Sequence, residues 1–256
     1  MIQLLLVIFS IFYYSSRITA FNGNMAWRSS GASHRELIEN LFKNGLIKDQ
    51  RIKEAMLSID RADFTDQKSD AYEDRPQSIG YAVTISAPHM HCFGLEILKD
   101  HLKPGAKVLD VGSGSGYLTA CMARLVRPGG KAIGVEHIQE LVDKSIVNLK
   151  KNNKDLFDDG SLEIHKGDGR QGYAAEAPYD AIHVGAAAPD TPHELIRQLK
   201  VGGRLISPVG GRDQEMITYD KKEDGTYHEQ RHMGVMYVPL TDEKKQYASA
   251  GIRKDL

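Results

Sequence analysis

The sequence predicts a doubly wound α/β fold, a mostly parallel sheet with helices on both faces, and three observations lead there. From Lys107 onward, short apolar runs alternate with amphipathic segments of helical spacing, the mark of repeated strand-helix units. The first of these units carries a glycine-rich turn, VLDVGSGSGYLT (108–119), between strand and helix. The chain also has 256 residues, 41% of them hydrophobic, enough for one sizeable core. Its 33 Lys and Arg against 34 Asp and Glu give a net charge of −1, which disfavours a general nucleic-acid binder.

Residues 1–20, MIQLLLVIFSIFYYSSRITA, contain an apolar run of the length of a signal-peptide core but lack its basic flank, and the run is too short to read as a membrane span. Met25 opens MAWRSSGASHRELIENL, a natural start for a folded domain. The expectation is therefore a hydrophobic extension over residues 1–24, either a cleaved secretory signal or the product of an upstream start, followed by one domain over 25–256. The terminal RKDL is close to a retention tetrapeptide without matching KDEL. Cys92 and Cys121 show neither CxxC nor metal-ligand spacing and suit a reducing compartment. A cytosolic location is expected, with the ER lumen or secretion as the alternative.

Ser33-His34-Arg35-Glu36 is a capping box ahead of Leu37, Ile38 and Leu41 on one helical face, and Gly45 can close that helix. A second helix presents Ile52, Ala55, Met56 and Ile59. With Trp27 these helices are expected to form a cover over the sheet. Residues 60–76 are polar and turn-rich and read as a surface loop, and QSIGYAVTISAPHMH (77–91) reads as an extended, mostly irregular lead-in with Pro88 as a stop.

Strand and helix then alternate: KVLDVG, a helix through Leu125, KAIGVE, a helix over 138–152, LEIHKGD, YDAIHVGA, a helix over 192–199, and GRLISPVG. EMITYD and GVMYVPL, separated by KKEDGTYHEQRH with its Asp224-Gly225 turn, are expected to add an antiparallel hairpin at the sheet edge.

In such sheets ligands lie beyond the carboxyl ends of the strands, where the strand order reverses, so the first glycine turn is the natural site. Gly112, Gly114 and Gly116 fall at every second position and Asp110 precedes them, whereas a dinucleotide loop spaces its glycines as GxGxxG. A carboxylate at the strand tip serves a pyrophosphate poorly and an amino group well. S-adenosylmethionine is a ligand of that kind. Glu136, ending the next strand, is placed to accept hydrogen bonds from ribose hydroxyls, a role that dinucleotide enzymes share. Asp168, in Lys166-Gly167-Asp168-Gly169, can accept from an adenine amine. Any one of the three reads equally well as a turn or cap residue. Three at equivalent places in successive units favour a site.

SIGYAVTISAPHMH, VLDVGSGSGYLTA, GDGR, YDAIHVGAAAP and GVMYVPLTDEKKQ together resemble the protein-L-isoaspartate (D-aspartate) O-methyltransferase family, of the animal type, from Met25 to about Gln246. The resemblance implies a Rossmann-like S-adenosylmethionine-dependent methyltransferase fold. It also implies methyl transfer from S-adenosylmethionine to the free carboxyl of L-isoaspartyl and D-aspartyl residues in damaged proteins and peptides. The ester then closes to a succinimide, whose hydrolysis partly restores L-aspartyl. Ser86 is by position the family's active-site residue, and Val83, Thr84, Ile85, His91, Asp110, Gly112, Gly114, Gly116, Glu136, Asp168, Gly169, Thr241 and Gln246 are implied at the cofactor. Glu136 departs from the family's frequent Asp, and the N-terminal extension lies outside the pattern. A monomer is expected, with no nucleic acid and no stable membrane association.

Other readings stand beside these roles. Ser86 can instead cap the turn before Ala87-Pro88, and without a GxSxG elbow it is not read as a covalent nucleophile. His89 and His91 lack a third ligand, so no metal is expected. Gly185 to Pro189 either let a substrate main chain approach or pack helix on strand. Thr241 and Gln246 read alone are a helix cap and a solvated side chain. Cys92 points away from His91 if the chain is extended there. The rival functions are a cofactor-binding protein of the same fold without repair activity, a methyltransferase for another small acceptor, and a nicotinamide-linked oxidoreductase.

Overall fold

A computed structural model describes residues 28–252, so the expectations for the N-terminal extension, Met25, Trp27 and the RKDL terminus lie outside the described residues. Helix α1 (His34–Lys43) starts as the capping box requires, with the Ser33 hydroxyl accepting from the Glu36 N–H at 3.2 Å. The Glu36 carboxylate reaches back to the Ala32 N–H at 2.8 Å, one residue before the cap. Helix α2 (Gln50–Leu57) buries Ile52, Ala55 and Met56.

Residues 60–76 correct the surface-loop expectation. Two short 3-10 turns, Arg61–Phe64 and Lys68–Asp70, carry the chain inward, and Arg61, Phe64, Ala71 and Asp74 are buried. Polar composition hid this because, with Thr65 also buried, three of the five buried residues are polar or charged. β1 (Gln77–Gly80) and β2 (Val83–Ile85) then form a two-stranded antiparallel hairpin whose turn places Tyr81 and Ala82 at φ 55° and 53°. Pro88 is also corrected: it opens helix α3 (Pro88–Leu98) at a position where its missing N–H costs nothing, so His89, His91 and Cys92 are helical rather than extended.

The central units follow in order as β3 (Lys107–Val111), α4 (Tyr117–Val126), β4 (Lys131–Glu136), α5 (Gln139–Asn152), α6 (Asp155–Asp158), β5 (Leu162–Lys166), β6 (Tyr179–Val184), α7 (His193–Arg197) and β7 (Leu199–Val209). β8 (Gln214–Lys221), β9 (Tyr227–Val235) and α8 (Glu243–Ser249) complete the described chain. The seven-stranded sheet runs β5-β4-β3-β6-β7-β8-β9, parallel from β5 to β7 and antiparallel beyond. Alternate strand residues feed cores on opposite faces: Val108, Ala132 and Ala181 join one, and Leu109, Ile133 and Ile182 the other. Helices α1 and α2 cover the molecule by packing on α3 and α4, which lie against the sheet.

The edge hairpin exists, with a different second strand. β9 is the polar run YHEQRHMGV, paired tightly to β8 through the Asp224-Gly225 turn, and only Gly234 and Val235 of GVMYVPL remain in it. An edge strand faces water along much of its length, so it lacks the apolar signal that drew attention to GVMYVPL. Residues 236–240 instead leave the sheet and strap along the segment that follows β6: the Ala187 N–H donates to the Val238 carbonyl and the Leu240 N–H to the Ala187 carbonyl, each at 2.8 Å.

Candidate active site

The chain runs from β3 outward to β4 and β5, then returns to place β6 on the other side of β3, so the strand order reverses at the glycine turn. Gly114 sits at φ +50°, and a Cβ there would stand 3.3 Å from Ile79 of the hairpin. Across the turn, a Cβ on Gly185 would come within 3.1 Å of the Gly112 carbonyl. Hairpin, glycine turn and the end of β6 therefore meet with no room for larger side chains.

Glu136 ties the tip of β4 to this turn. One carboxylate oxygen accepts from the Gly114 N–H at 3.1 Å and the other from the Ile138 N–H at 3.0 Å, and burial pushes its pKa up. The carboxylate lines a cavity together with Val83, Thr84, Gly112, Gly169, Thr241 and Gln246. A second cavity, lined by Thr84, Ile85, Ser86, His91, Asp110 and Gly114, shares Thr84, Gly112 and Gly185 with the first. Twelve of the fourteen residues that the resemblance implies at the site thus line two adjoining spaces across the glycine turn.

Two lie differently. Gly116 lines neither space; its left-handed φ of +85° lets α4 start against Leu149 and Ser145 of α5, where a Cβ would be 3.1 Å from Leu149. Asp168 opens on a neighbouring hollow beyond His137, and Arg170 holds its carboxylate through Nε at 2.9 Å and Nη2 at 2.6 Å, which lowers its pKa. An amine reaching Asp168 must share it with Arg170.

Asp110 is buried and bonded on both oxygens, by His183 Nδ1 at 2.9 Å and the Thr119 hydroxyl at 2.6 Å. His183 also lines the Ser86 cavity. His91 packs on the Tyr117 ring at 5.0 Å, and burial drives its pKa far below the ordinary histidine range, so it is neutral at pH 7. His89 faces Asp74, with Nδ1 at 2.8 Å and its backbone N–H at 3.0 Å from one oxygen. Cys92 is turned toward the Met56 sulfur at 3.7 Å, and burial pushes its thiol pKa up, which leaves it a poor nucleophile.

Ser86 is half-buried. Its carbonyl accepts from Arg61 Nη2 at 2.8 Å, and its side chain faces the Tyr237 hydroxyl of the strap. Gln246 is buried rather than solvated: its amide donates to the Tyr81 carbonyl at 2.7 Å and the Ala82 carbonyl at 3.3 Å, clasping α8 to the hairpin. Asp242, not Thr241, caps α8 by accepting from the Lys245 N–H at 2.8 Å. Ala187 and Ala188 pair with the strap and with β7, so the small-residue run serves packing there, while Gly185 and Ala186 face the first cavity.

Sequence reasoning passed over Arg61, His183 and Tyr237. His183 lay within the quoted YDAIHVGAAAP, and its position beside Asp110 follows from the β3-β6 register that pairs the two residues.

A parallel sheet with an antiparallel edge hairpin, and a glycine turn and an acidic strand tip at its switch point, fits an S-adenosylmethionine-dependent methyltransferase, the class to which the chain's relatives belong. The model of the family described as protein-L-isoaspartate(D-aspartate) O-methyltransferase matches residues 32–245. Protein-L-isoaspartate O-methyltransferase 1 of Arabidopsis thaliana is 52% identical over 219 residues, covering 85% of this chain and 95% of the relative. The Caenorhabditis elegans enzyme of that name is 47% identical over 224 residues, covering 87% and 99%. Among solved structures, a Plasmodium falciparum protein described as a protein-L-isoaspartate O-methyltransferase in complex with S-adenosyl-L-homocysteine superposes with a TM-score of 0.77. It is 35% identical and covers 83% of this chain and all of that one. The chain belongs to the protein-L-isoaspartate (D-aspartate) O-methyltransferase family.

Proposed function

We propose that this protein methylates the free carboxyl of L-isoaspartyl and D-aspartyl residues in damaged proteins and peptides, starting the return of part of that material to normal L-aspartyl linkage. The observation that carries this reading is the adjoining pair of cavities, one built on Glu136 and one on Ser86, in a chain matched to the family over residues 32–245.

The first cavity suits the cofactor. Glu136 offers acceptors to two ribose hydroxyls from oxygens already steadied by backbone N–H groups. Val83, Thr84, Gly112, Gly169, Thr241 and Gln246 bound the remaining space. Bound there, S-adenosylmethionine supplies an electrophilic methyl group on a sulfonium centre.

The chain's own task is positioning. A carboxylate with a pKa near 4 is already ionised at neutral pH, so the acceptor needs no base. Ser86 donates its hydroxyl hydrogen to that carboxylate and fixes the direction of its oxygen. His91, neutral and buried, adds no charge that would hold the acceptor back. The clasp of Gln246 on the hairpin and the strap over Ala187 bound the cavities on the C-terminal side and limit contact with water, in which opposite charges would be screened before they cancel.

The proposal extends to one domain over 25–256 acting as a cytosolic monomer on damaged proteins, with residues 1–24 as an extension. Among the described residues no helix is long and apolar enough to cross a membrane. Sedimentation and cell fractionation test state and place; a chain recovered from the ER lumen beginning at Phe21 contradicts the cytosolic assignment.

Ser86→Ala tests the division of labour. Turnover of an isoaspartyl peptide should fall while S-adenosylhomocysteine binds nearly as before, because the hydroxyl is assigned to the acceptor. Unchanged turnover removes Ser86 from the chemistry.

A further inference from the structure

Arg61 is the largest fully buried side chain of the molecule's described residues, and its position asks for a reason. No ion pair holds it: among the described residues Nε and Nη1 have no hydrogen-bond partner, and Nη2 donates only to the Ser86 carbonyl at 2.8 Å. The guanidinium lies 5.7 Å from the centroid of Tyr117, the first residue of α4 after the glycine turn. Phe64, in the same 3-10 turn as Arg61, meets that ring edge-on at 5.5 Å. The nearby groups are Asp74, which His89 already occupies, the two buried thiols Cys92 and Cys121, and neutral His91. Burial lowers the Arg61 pKa to about 10, so it stays charged at neutral pH. A buried charge with unmet donors is costly to keep for packing alone, since an apolar residue of similar volume would fill the space without that cost.

We infer that Arg61 is a positioning residue that fixes Ser86 relative to the helix following the glycine turn, and so holds the acceptor side of the reaction in register with the donor side. Its two contacts lie on those two sides: the Ser86 carbonyl, just before α3, and the Tyr117 ring, just after Gly116. Ala87 offers no side-chain cap to α3, and Asp74 holds the first turn through the His89 N–H at 3.0 Å without reaching the Ser86 backbone. Among the described residues Arg61 is the one side chain that holds the Ser86 backbone from outside its own segment. Methyl transfer needs oxygen, carbon and sulfur in line, and a misplacement of about 1 Å can cost on the order of a hundredfold in rate. A tether between the two halves acts on that alignment without touching either reactant.

The inference rests on the assignment of Ser86 to the acceptor carboxylate, and the test separates the two. Arg61→Met, Arg61→Lys, Ser86→Ala and the Arg61→Met/Ser86→Ala double variant are compared for fold by circular dichroism, for S-adenosylhomocysteine affinity by calorimetry, and for kcat and KM with an isoaspartyl peptide. Arg61→Met should keep cofactor affinity within about twofold and lower kcat about ten- to a hundredfold. Arg61→Lys, which keeps the charge and a donor, should recover part of that loss. In the Ser86→Ala background the same Arg61→Met change should cost less than about threefold, because its effect passes through Ser86. An equal penalty in both backgrounds, or a loss of cofactor affinity that parallels the loss of kcat, overturns the inference. If Ser86→Ala alone leaves kcat unchanged, the Ser86 assignment fails instead. Should Arg61→Met not fold, Arg61→Lys runs the same cycle with the same criteria.

Discussion

Glu136 serves two partners with one carboxylate, since it holds the glycine turn through Gly114 while presenting acceptors to a ribose. Glu136→Ala removes both, and with hydrogen bonds to a charged group worth about 1.5 to 3 kcal/mol each, affinity for S-adenosylhomocysteine should fall by about a hundredfold or more. Calorimetric titration checks this, and unchanged affinity takes Glu136 out of the cofactor site. That residue was legible in the sequence because a strand tip is a fixed place in a repeated unit. Ser86, Asp110 and the glycines were legible for the same reason or through their motifs. Arg61 was not, because nothing in a polar, turn-rich run distinguishes an arginine in water from one folded under its neighbours. His183 was hidden differently: its partner Asp110 is 73 residues away, and only strand register brings them together.

At the scale of elements, the hairpin β1-β2 and helix α8 close the cofactor cavity by a contact between segments 165 residues apart, the Gln246 amide on the Tyr81 carbonyl. Losing neutral hydrogen bonds of about 1 kcal/mol each should let Gln246→Ala release S-adenosylhomocysteine several-fold faster, seen by stopped-flow displacement. An unchanged off-rate means the clasp does not govern exchange. The hairpin turn is itself strained: Ala82 holds a left-handed conformation that costs an alanine about 1 to 2 kcal/mol, while glycine loses about 0.4 to 1 kcal/mol through the unfolded chain. Ala82→Gly should therefore stabilise the fold by about 0.5 to 1 kcal/mol in a urea melt. The alternating units from β3 to β7 could be read from periodicity because the inner strands β3, β4 and β6 are buried on both faces and so read as near-continuous apolar runs. Pro88, which looked like a stop, and β9, whose outward face is polar, show where local pattern misleads: helix starts and edge strands share their composition with loops.

For the molecule as a whole, two buried histidines couple stability to pH. Burial lowers the pKa of both His34 and His91 below the ordinary value of 6.5. Below about pH 6.5 the unfolded chain takes up protons that the native state refuses, so the stabilisation is complete above that pH. It is lost as pH falls toward the native-state values, at up to about 1.4 kcal/mol per pH unit for each group. Denaturation midpoints at pH 5.5 and 7.5 should differ accordingly, and His91→Gln should flatten the difference; equal slopes contradict the burial of a neutral imidazole. The central claim concerns the acceptor, and one comparison reaches it most directly. Two peptides identical except for an L-isoaspartyl or a normal L-aspartyl linkage are each offered with labelled S-adenosylmethionine. Isomerisation moves the free carboxylate onto the main chain and inserts a methylene in the backbone, so a site that fixes the oxygen through Ser86 should place only the isoaspartyl carboxylate on the sulfur-methyl axis. The account expects base-labile methyl ester on the isoaspartyl peptide alone; equal labelling of both peptides, or of neither while cofactor still binds, would contradict it.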